Sequence, residues 1–452
     1  MRHCGVWRLY CVPDDAFATH HYSVRAQSNN GFRITLMNLN RRTFLHSTFG
    51  AALGAALPAS AQPGQRPRIL LRNAWQSINI GDIAHYMGLL ELMEKFGIEA
   101  DVYLWPSSLE DGAEELLAKR FPEVTVVKDP ESIATAFKEC DFFLHGSSSG
   151  VPGWKDAARW HWETGKPFGM FGISLPSVEP QVIEMLSKAD FVFFRETVSL
   201  QVAKDHGCTA PIMEFGPDTA FGVVTLRNDE AATAFLHEHD LEEGKFLCCI
   251  PRYRWTPRWT LNKKHAFNAE HDQRNQEMKE HDHAQLRAAI IAVTRETDMK
   301  VLVVCEDKTQ IPLGKEMILD KLPEDVKKQV VWRDRYWLTD EALSTYVRSA
   351  GLFGNEMHSP IMCISSGIPA VVCRWDEQTH KGFMWRDIGL NDWLFTMGNP
   401  DEVARIVPTV LAIAKDPVAA KAKAAQAREV VRQRQKENFG VLASALRKAQ
   451  GG

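Results

Sequence analysis

From Arg68 onward the chain alternates short apolar runs with helix-length amphipathic segments, and it does so in two series. ILL at 69–71, DVYLW at 101–105, VTVV at 124–127, DFFLH at 141–145, PFGMFGI at 167–173 and DFVFF at 190–194 make the first. Between the first two runs Ile83, Met87, Leu90 and Met93 recur at helical spacing, so this crossover is a helix with one face on a sheet. Alternation of this kind requires a parallel sheet covered on both faces. The pattern breaks near 222–229 and restarts with FLCCI at 246–250, KVLVVC at 300–305, VVW at 330–332, GLFGN at 351–355 and PAVVCRW at 369–375. The expected fold is α/β, with two doubly wound Rossmann-like lobes at 62–225 and 226–400 and a C-terminal helical tail at 401–452.

Two such lobes in series are the plan of GT-B glycosyltransferases, and ligands of open α/β sheets bind at the carboxyl ends of the strands, so the cleft between lobes is the expected site. One stretch fits neither sheet. Residues 252–283, rich in Arg, Trp and His, read as a long irregular insertion. The net charge of the 452-residue chain is only −4, so no basic surplus points to nucleic acid, and an anionic substrate must meet a local cluster of Arg and Lys. Beyond residue 61 the cysteines are Cys140, Cys208, Cys248, Cys249, Cys305, Cys363 and Cys373. Their odd number and strand-like settings predict buried thiols rather than a disulfide framework. No dinucleotide fingerprint, Cys-rich cluster or metal-spaced His set is present, so neither cofactor nor metal is expected, and His265, His271, His281 and His283 are expected to face solvent.

Residues 40–61 read NRRTFLHSTFGAALGAALPASA. Paired Arg41 and Arg42, a short apolar stretch and Ala59-Ser60-Ala61 form a twin-arginine signal peptide spanning 37–61, with cleavage expected before Gln62. Met37 is the expected start, and residues 1–36 read as a gene-model extension. The expected partner is the Tat translocation machinery and the expected location periplasmic or extracytoplasmic.

Chemistry concentrates where strands end. Asn79-Ile80-Gly81-Asp82 precedes the first helix, where Gly81 allows close backbone approach and the free N–H groups can hold an anion; the bland alternative makes Asp82 an N-cap. The fourth run ends in a turn of small residues, His145 to Gly153, which leaves room for a sugar or phosphate at His145, Ser147 and Ser148 or equally serves turn geometry alone. The sixth delivers Phe194-Arg195-Glu196 and Ser199. Arg252 opens the insertion. In the second lobe Glu356-Met357-His358 again joins a strand end to a helix, followed by Gly367-Ile368-Pro369 and by Asp376 to Lys381. A helix start disfavours an imidazolium, which predicts a neutral His358 beside Glu356 and Lys381.

In this order the segments resemble the polysaccharide pyruvyl transferase family, from 68 to about 395. Asn79 to Asp82 matches its N-x-G-D, Gly146 to Gly150 its glycine-rich turn, Phe194 to Ser199 its aromatic-Arg-acid-x-x-Ser, and Gly216 to Phe221 a later G-x-D-x-A-F-like element. Gly354 to His358, Gly367 to Pro369 and Asp376 to Lys381 match its S-x-R-L-H, G-I-P and acidic-turn-Lys elements. The family Arg two residues before the His is Glu356 here. The resemblance implies transfer of a pyruvyl group from phosphoenolpyruvate, or another anionic donor, to sugar hydroxyls of a glycan acceptor as a ketal. It implies His358 as acid or base, Glu356 or Asp82 orienting the acceptor, and Asn79, Gly81, His145, Ser147, Ser148, Arg195, Arg252 and Lys381 binding substrate. Glu356 and the export signal keep two alternatives open: a GT-B-like glycosyltransferase with another donor, and a non-catalytic glycan-binding protein.

Overall fold

The computed structural model describes residues 66–261 and 265–451; the expected twin-arginine leader, its expected cleavage before Gln62 and the stretch 1–36 lie outside the described residues. The first sheet contains β1 (Arg68–Asn73), β2 (Asp101–Pro106), β3 (Thr125–Val126), β4 (Phe142–His145), β5 (Ser148–Ser149), β6 (Phe168–Ser174), β7 (Phe191–Phe194) and β8 (Met213–Phe215). Its strands pair in parallel in the order β3-β2-β1-β4-β6-β7-β8, with β5 beside β6. The second sheet contains β9 (Phe246–Ile250), β10 (Lys300–Val303), β11 (Val330–Trp332), β12 (Gly351–Gly354), β13 (Ala370–Arg374) and β14 (Leu394–Thr396). It too is parallel, in the order β11-β10-β9-β12-β13-β14. The chain therefore leaves the first strand of each sheet in both directions, which opens a crevice at the carboxyl edge. Helices cover both faces, and every residue of β4, β9 and β12 is buried, as unbroken apolar runs require.

The two lobes are stitched together along that edge. Ile80 N–H donates to the Glu306 carbonyl at 3.0 Å, Asn79 and Asp307 form an antiparallel bridge, and Thr339 Oγ1 donates to the Ile80 carbonyl at 2.8 Å. At the rim Thr197 donates through its N–H and its hydroxyl to Asp387, both at 2.7 Å.

The tail is helical, as expected, and it crosses between lobes. After Ile406–Lys415 the long helix Pro417–Gly451 brings Phe439 against Phe96 and Phe171 of the first lobe, with ring centroids 5.2 and 4.9 Å away.

The stretch 252–283 corrects the expectation of an irregular insertion. Its described residues before Ala269 are loop with one short helical turn, Arg258–Thr260, and Ala269–Glu296 is one helix, capped by the Asn268 side chain accepting from His271 N–H at 3.0 Å. Its inward positions before residue 284 are Asn275, Asp282 and His283, so no apolar period marks it. Asn275 exchanges two hydrogen bonds with the Trp255 backbone, and Arg254 meets both oxygens of Asp282 at 2.8 and 2.9 Å. Of the four histidines expected in solvent, His283 is fully buried, with Nδ1 2.5 Å from the Lys279 carbonyl, and His271 lies flat on Trp255 at 4.2 Å; only His265 and His281 are open to solvent. The seven cysteines are free and buried.

Two measurements test this arrangement. Phe439→Ala should cost about 3–5 kcal/mol, as for other buried Phe truncations, read from the denaturant midpoint; a loss below about 1 kcal/mol would mean the tail does not hold the first lobe. Burial pushes His145 and His283 each down to about 4. The unfolded chain therefore takes up these protons first, so the stability they confer is full above about 6.5 and lost as pH falls towards 4. The melting temperature should drop across that window, less steeply in His283→Gln; identical slopes would contradict a neutral buried His283.

Candidate functional site

Strand ends of both lobes open on one cavity of 630 Å³. On the first-lobe side the Asn79 side chain accepts Gly81 N–H at 2.7 Å and so caps the helix Ile80–Lys95; the cap is Asn79, not Asp82. That start sets Asp82 and His85 one turn apart, with His85 Nδ1 3.9 Å from Asp82 Oδ1, and both line the cavity. Gly81 has a different task from the ligand contact expected of it. A Cβ built there would lie 2.1–2.4 Å from Cγ, Nδ1 and Cβ of His358, so glycine is what lets the two lobes meet.

Below them sits Asp218, fully buried. One oxygen accepts from Ala220 N–H at 2.9 Å; the other accepts from Arg195 Nη1 at 2.7 Å and lies 3.3 Å from His85 Nε2. Burial alone would raise its pKa, but His85 and then the Arg195 guanidinium hold it well below the carboxylate range. Arg195 also donates from Nε to Ser174 Oγ at 2.7 Å. It lines the cavity, but with two donors committed inward it presents only Nη2, which has no partner among the described residues.

The second lobe supplies His358 as the first residue of the helix His358–Ser365. Its Nδ1 lies 3.4 Å from Glu306 Oε2, whose other oxygen accepts the Ser359 N–H, and its ring meets that of His85 edge to face at 4.8 Å. Burial, helped by His85 and Lys381, pushes His358 down to about 3, so the imidazole is neutral at ordinary pH. Glu356 accepts from Gln310 Nε2 at 2.7 Å and lies 3.1 Å from Arg252 Nε; burial raises its pKa against the pull of Arg252. Lys381 lines the same wall, and burial, then Arg252, lowers its pKa.

Asn79, Asp82, Ser148, Arg195, Arg252, Glu356, His358 and Lys381 thus converge, while His145 and Ser147 do not. His145 is buried behind the wall, with Nε2 2.5 Å from the Pro152 carbonyl and its ring against Trp75. Ser147 Oγ accepts Thr219 N–H at 2.9 Å and faces the Phe171 carbonyl at 3.3 Å, so its hydroxyl is spent on scaffolding. Ser148 Oγ donates to the Gly150 carbonyl at 2.9 Å.

His85, Asp218 and Glu306 were missed. The strand-end position of Glu306 was a usable signal, and Asp218 stood inside the 216–221 element, but His85 sits within an apolar helix face without any mark. Trp75 and Trp255 also line the cavity, and Arg254 joins Asp282 to Glu377 at its mouth, 3.0 Å from the latter.

A family model described as polysaccharide pyruvyl transferase matches residues 79–377. No curated protein sequence matches the chain. Among solved structures, Anabaena HepE in complex with UDP and glucose superposes with a TM-score of 0.52 at 11% identity, over 84% of this chain and 100% of HepE. HepE in complex with UDP-glucose gives 0.52 at 12% identity, over 84% and 99%. The N-terminal domain of Candida albicans trehalose-6-phosphate phosphatase gives 0.50 at 11%, over 86% and 99%. At these identities the likeness is one of fold, and the fold is GT-B-like.

The fit of Gly81 to His358 is testable by a mutant cycle. Gly81 has ordinary helical φ, so alanine alone would favour the helix by about 0.5–1 kcal/mol. Gly81→Ala should nevertheless lower the melting temperature, and in a His358→Gly background, which removes the Cβ as well as the ring, it should become neutral or stabilising. Equal losses in both backgrounds would show that the ring does not set the constraint.

Proposed function

The chain belongs to the polysaccharide pyruvyl transferase family, whose members are glycan-modifying transferases, and from that premise we propose that it forms a pyruvyl ketal on a glycan from phosphoenolpyruvate. The observation that carries this reading is a neutral His358, with its Nε2 free, on the same cavity as Lys381 and Arg252.

The enol C3 of the donor gains a proton, two sugar hydroxyl oxygens bond to C2, and the C2–O bond to phosphate breaks. One hydroxyl proton is matched by the proton gained at C3 and the other leaves with phosphate. His358 Nε2 accepts a hydroxyl proton once the negative charge of the bound donor raises its basicity above that of the empty site. Lys381 and Arg252 offer positive charge to the carboxylate and phosphate of the donor. Where the family has Arg, Glu356 draws Arg252 in from β9's end at 3.1 Å, so a guanidinium returns to this wall from another element. Asp82 orients the acceptor, and the faces of Trp75 and Trp255 suit pyranose rings. In this reading the twin-arginine leader takes the folded chain through the Tat machinery to the periplasm.

A second reading, glycosyl transfer from a nucleotide sugar, draws on Glu356 and on HepE, which is described in complex with UDP-glucose. Phosphate release from phosphoenolpyruvate, assayed with a panel of pyranosides, separates the two. Release should need both substrates and should fall by about 10²–10⁴-fold in His358→Ala. Release unchanged in that variant would remove His358 from the chemistry. No release, with UDP-glucose binding to the cavity, would favour the second reading; saccharide binding without turnover would favour a glycan-binding protein.

A further inference from the structure

We propose that the floor of the cavity binds one divalent transition-metal ion of the zinc class through His85, Asp218 and His358. These residues come from three distant parts of the chain, yet one ligand atom from each lies within 4.8 Å of the other two. All three are buried, at 2%, 0% and 7% exposure.

The first support is a set of lone pairs with nowhere to go. Both ring nitrogens of His85 and Nε2 of His358 have no hydrogen-bond partner among the described residues, although buried polar atoms are almost always satisfied. A neutral imidazole carries one N–H and one lone-pair nitrogen, so His85 and His358 each bring one unspent lone pair to this spot, which calls for a ligand that accepts them.

The second support is what stands behind the rings. Glu306 lies 3.4 Å from Nδ1 of His358 and Asp82 lies 3.9 Å from Nδ1 of His85. A carboxylate behind an imidazole draws the N–H to that side and turns the other nitrogen towards an ion, the arrangement found around zinc-bound histidines. Glu306 is itself fixed by the Ser359 N–H.

Charge and ligand type agree. Four carboxylates, Asp82, Asp218, Glu306 and Glu356, face three cationic side chains, Arg195, Arg252 and Lys381, around this part of the cavity, and the surplus of one suits a cation. Arg195 contacts Asp218 Oδ2 at 2.7 Å, and Oδ2 also faces His85, so the guanidinium backs the carboxylate while the ion takes its other lone pair. Two imidazoles and one carboxylate select zinc-like ions over calcium or magnesium, which take oxygen sets, and the fourth position opens into the cavity. Ligand atoms at about 2.0–2.2 Å from zinc require the side chains to rotate inwards by roughly an ångström on loading.

This inference does not depend on the donor. The ion would take the Nε2 lone pair that pyruvyl transfer assigns to the base, so metal loading and transfer exclude one another.

The test uses the full chain stripped with a chelator, titrated with Zn²⁺ by calorimetry and with Co²⁺ by visible absorption. One ion per chain is expected, with the intense bands of a four-coordinate cobalt centre. His85→Gln should weaken zinc binding at least about 100-fold, and Asp218→Asn likewise if it folds, whereas the exposed His281→Ala should bind as the parent does. No stoichiometric binding by the parent chain, or binding undiminished in a folded His85→Gln, would overturn the proposal. Phosphate release plays no part in these readouts, so a failed transfer assay leaves the outcome intact.

Discussion

The Glu306 carbonyl accepts the Ile80 N–H at 3.0 Å, while the carboxylate of the same residue accepts the Ser359 N–H and lies 3.4 Å from His358. One residue at the end of β10 thus completes a helix start in the first lobe and fixes a helix start in the second. The first turn of a helix leaves backbone N–H groups without internal partners, and across a lobe interface each must be met by the other lobe or by a ligand. Meeting them from the other lobe brings the helices so close that only glycine fits at residue 81, and the imidazole of His358 occupies the space a methyl would need. The site's geometry therefore follows from how the seam is closed.

Most of the fold was legible because strands buried on both faces must be apolar along their length. FLCCI at 246–250 and VVW at 330–332 coincide with β9 and β11. The misses have one cause. In Ala269–Glu296 the inward residues of the first half are Asn275, Asp282 and His283, which hold Trp255 and Arg254, and polar burial leaves no hydrophobic period to read. The site shows the same limit. Asn79, Glu356, His358 and Lys381 announce themselves at strand ends, but His145 and Ser147 occupy an equivalent strand end and turn inwards to Pro152 and Thr219. A polar side chain that satisfies the backbone and one that faces a ligand look alike in sequence.

The exchange of a family arginine for Glu356 is best understood as a relocation of charge. A buried carboxylate alone would be strongly disfavoured, and desolvation raises its pKa accordingly. Arg252 at 3.1 Å and Gln310 at 2.7 Å offset that cost. The guanidinium now reaches the cavity from a loop rather than from the strand–helix junction. Removing either partner would strand the other, so the two positions are a single electrostatic unit.

That relocation also bears on which parts of the cavity can move. The seam at Asn79, Ile80 and Glu306 is made of backbone bonds and a glycine contact with no slack, so closure over a ligand by hinging there would break them together. The opposite wall is built differently. Arg254 joins Asp282 of the long helix to Glu377 of the turn that leads to Lys381, and Trp255 rests on His271 of that same helix. Arg254 and Asp282 are buried and stay fixed to each other, whereas Glu377, one-fifth exposed, is the partner that exchanges with water at lower cost. Through Arg254 the 376–381 turn that carries Lys381 is tied to the long helix, so the position of that wall depends on a helix whose inward face is polar.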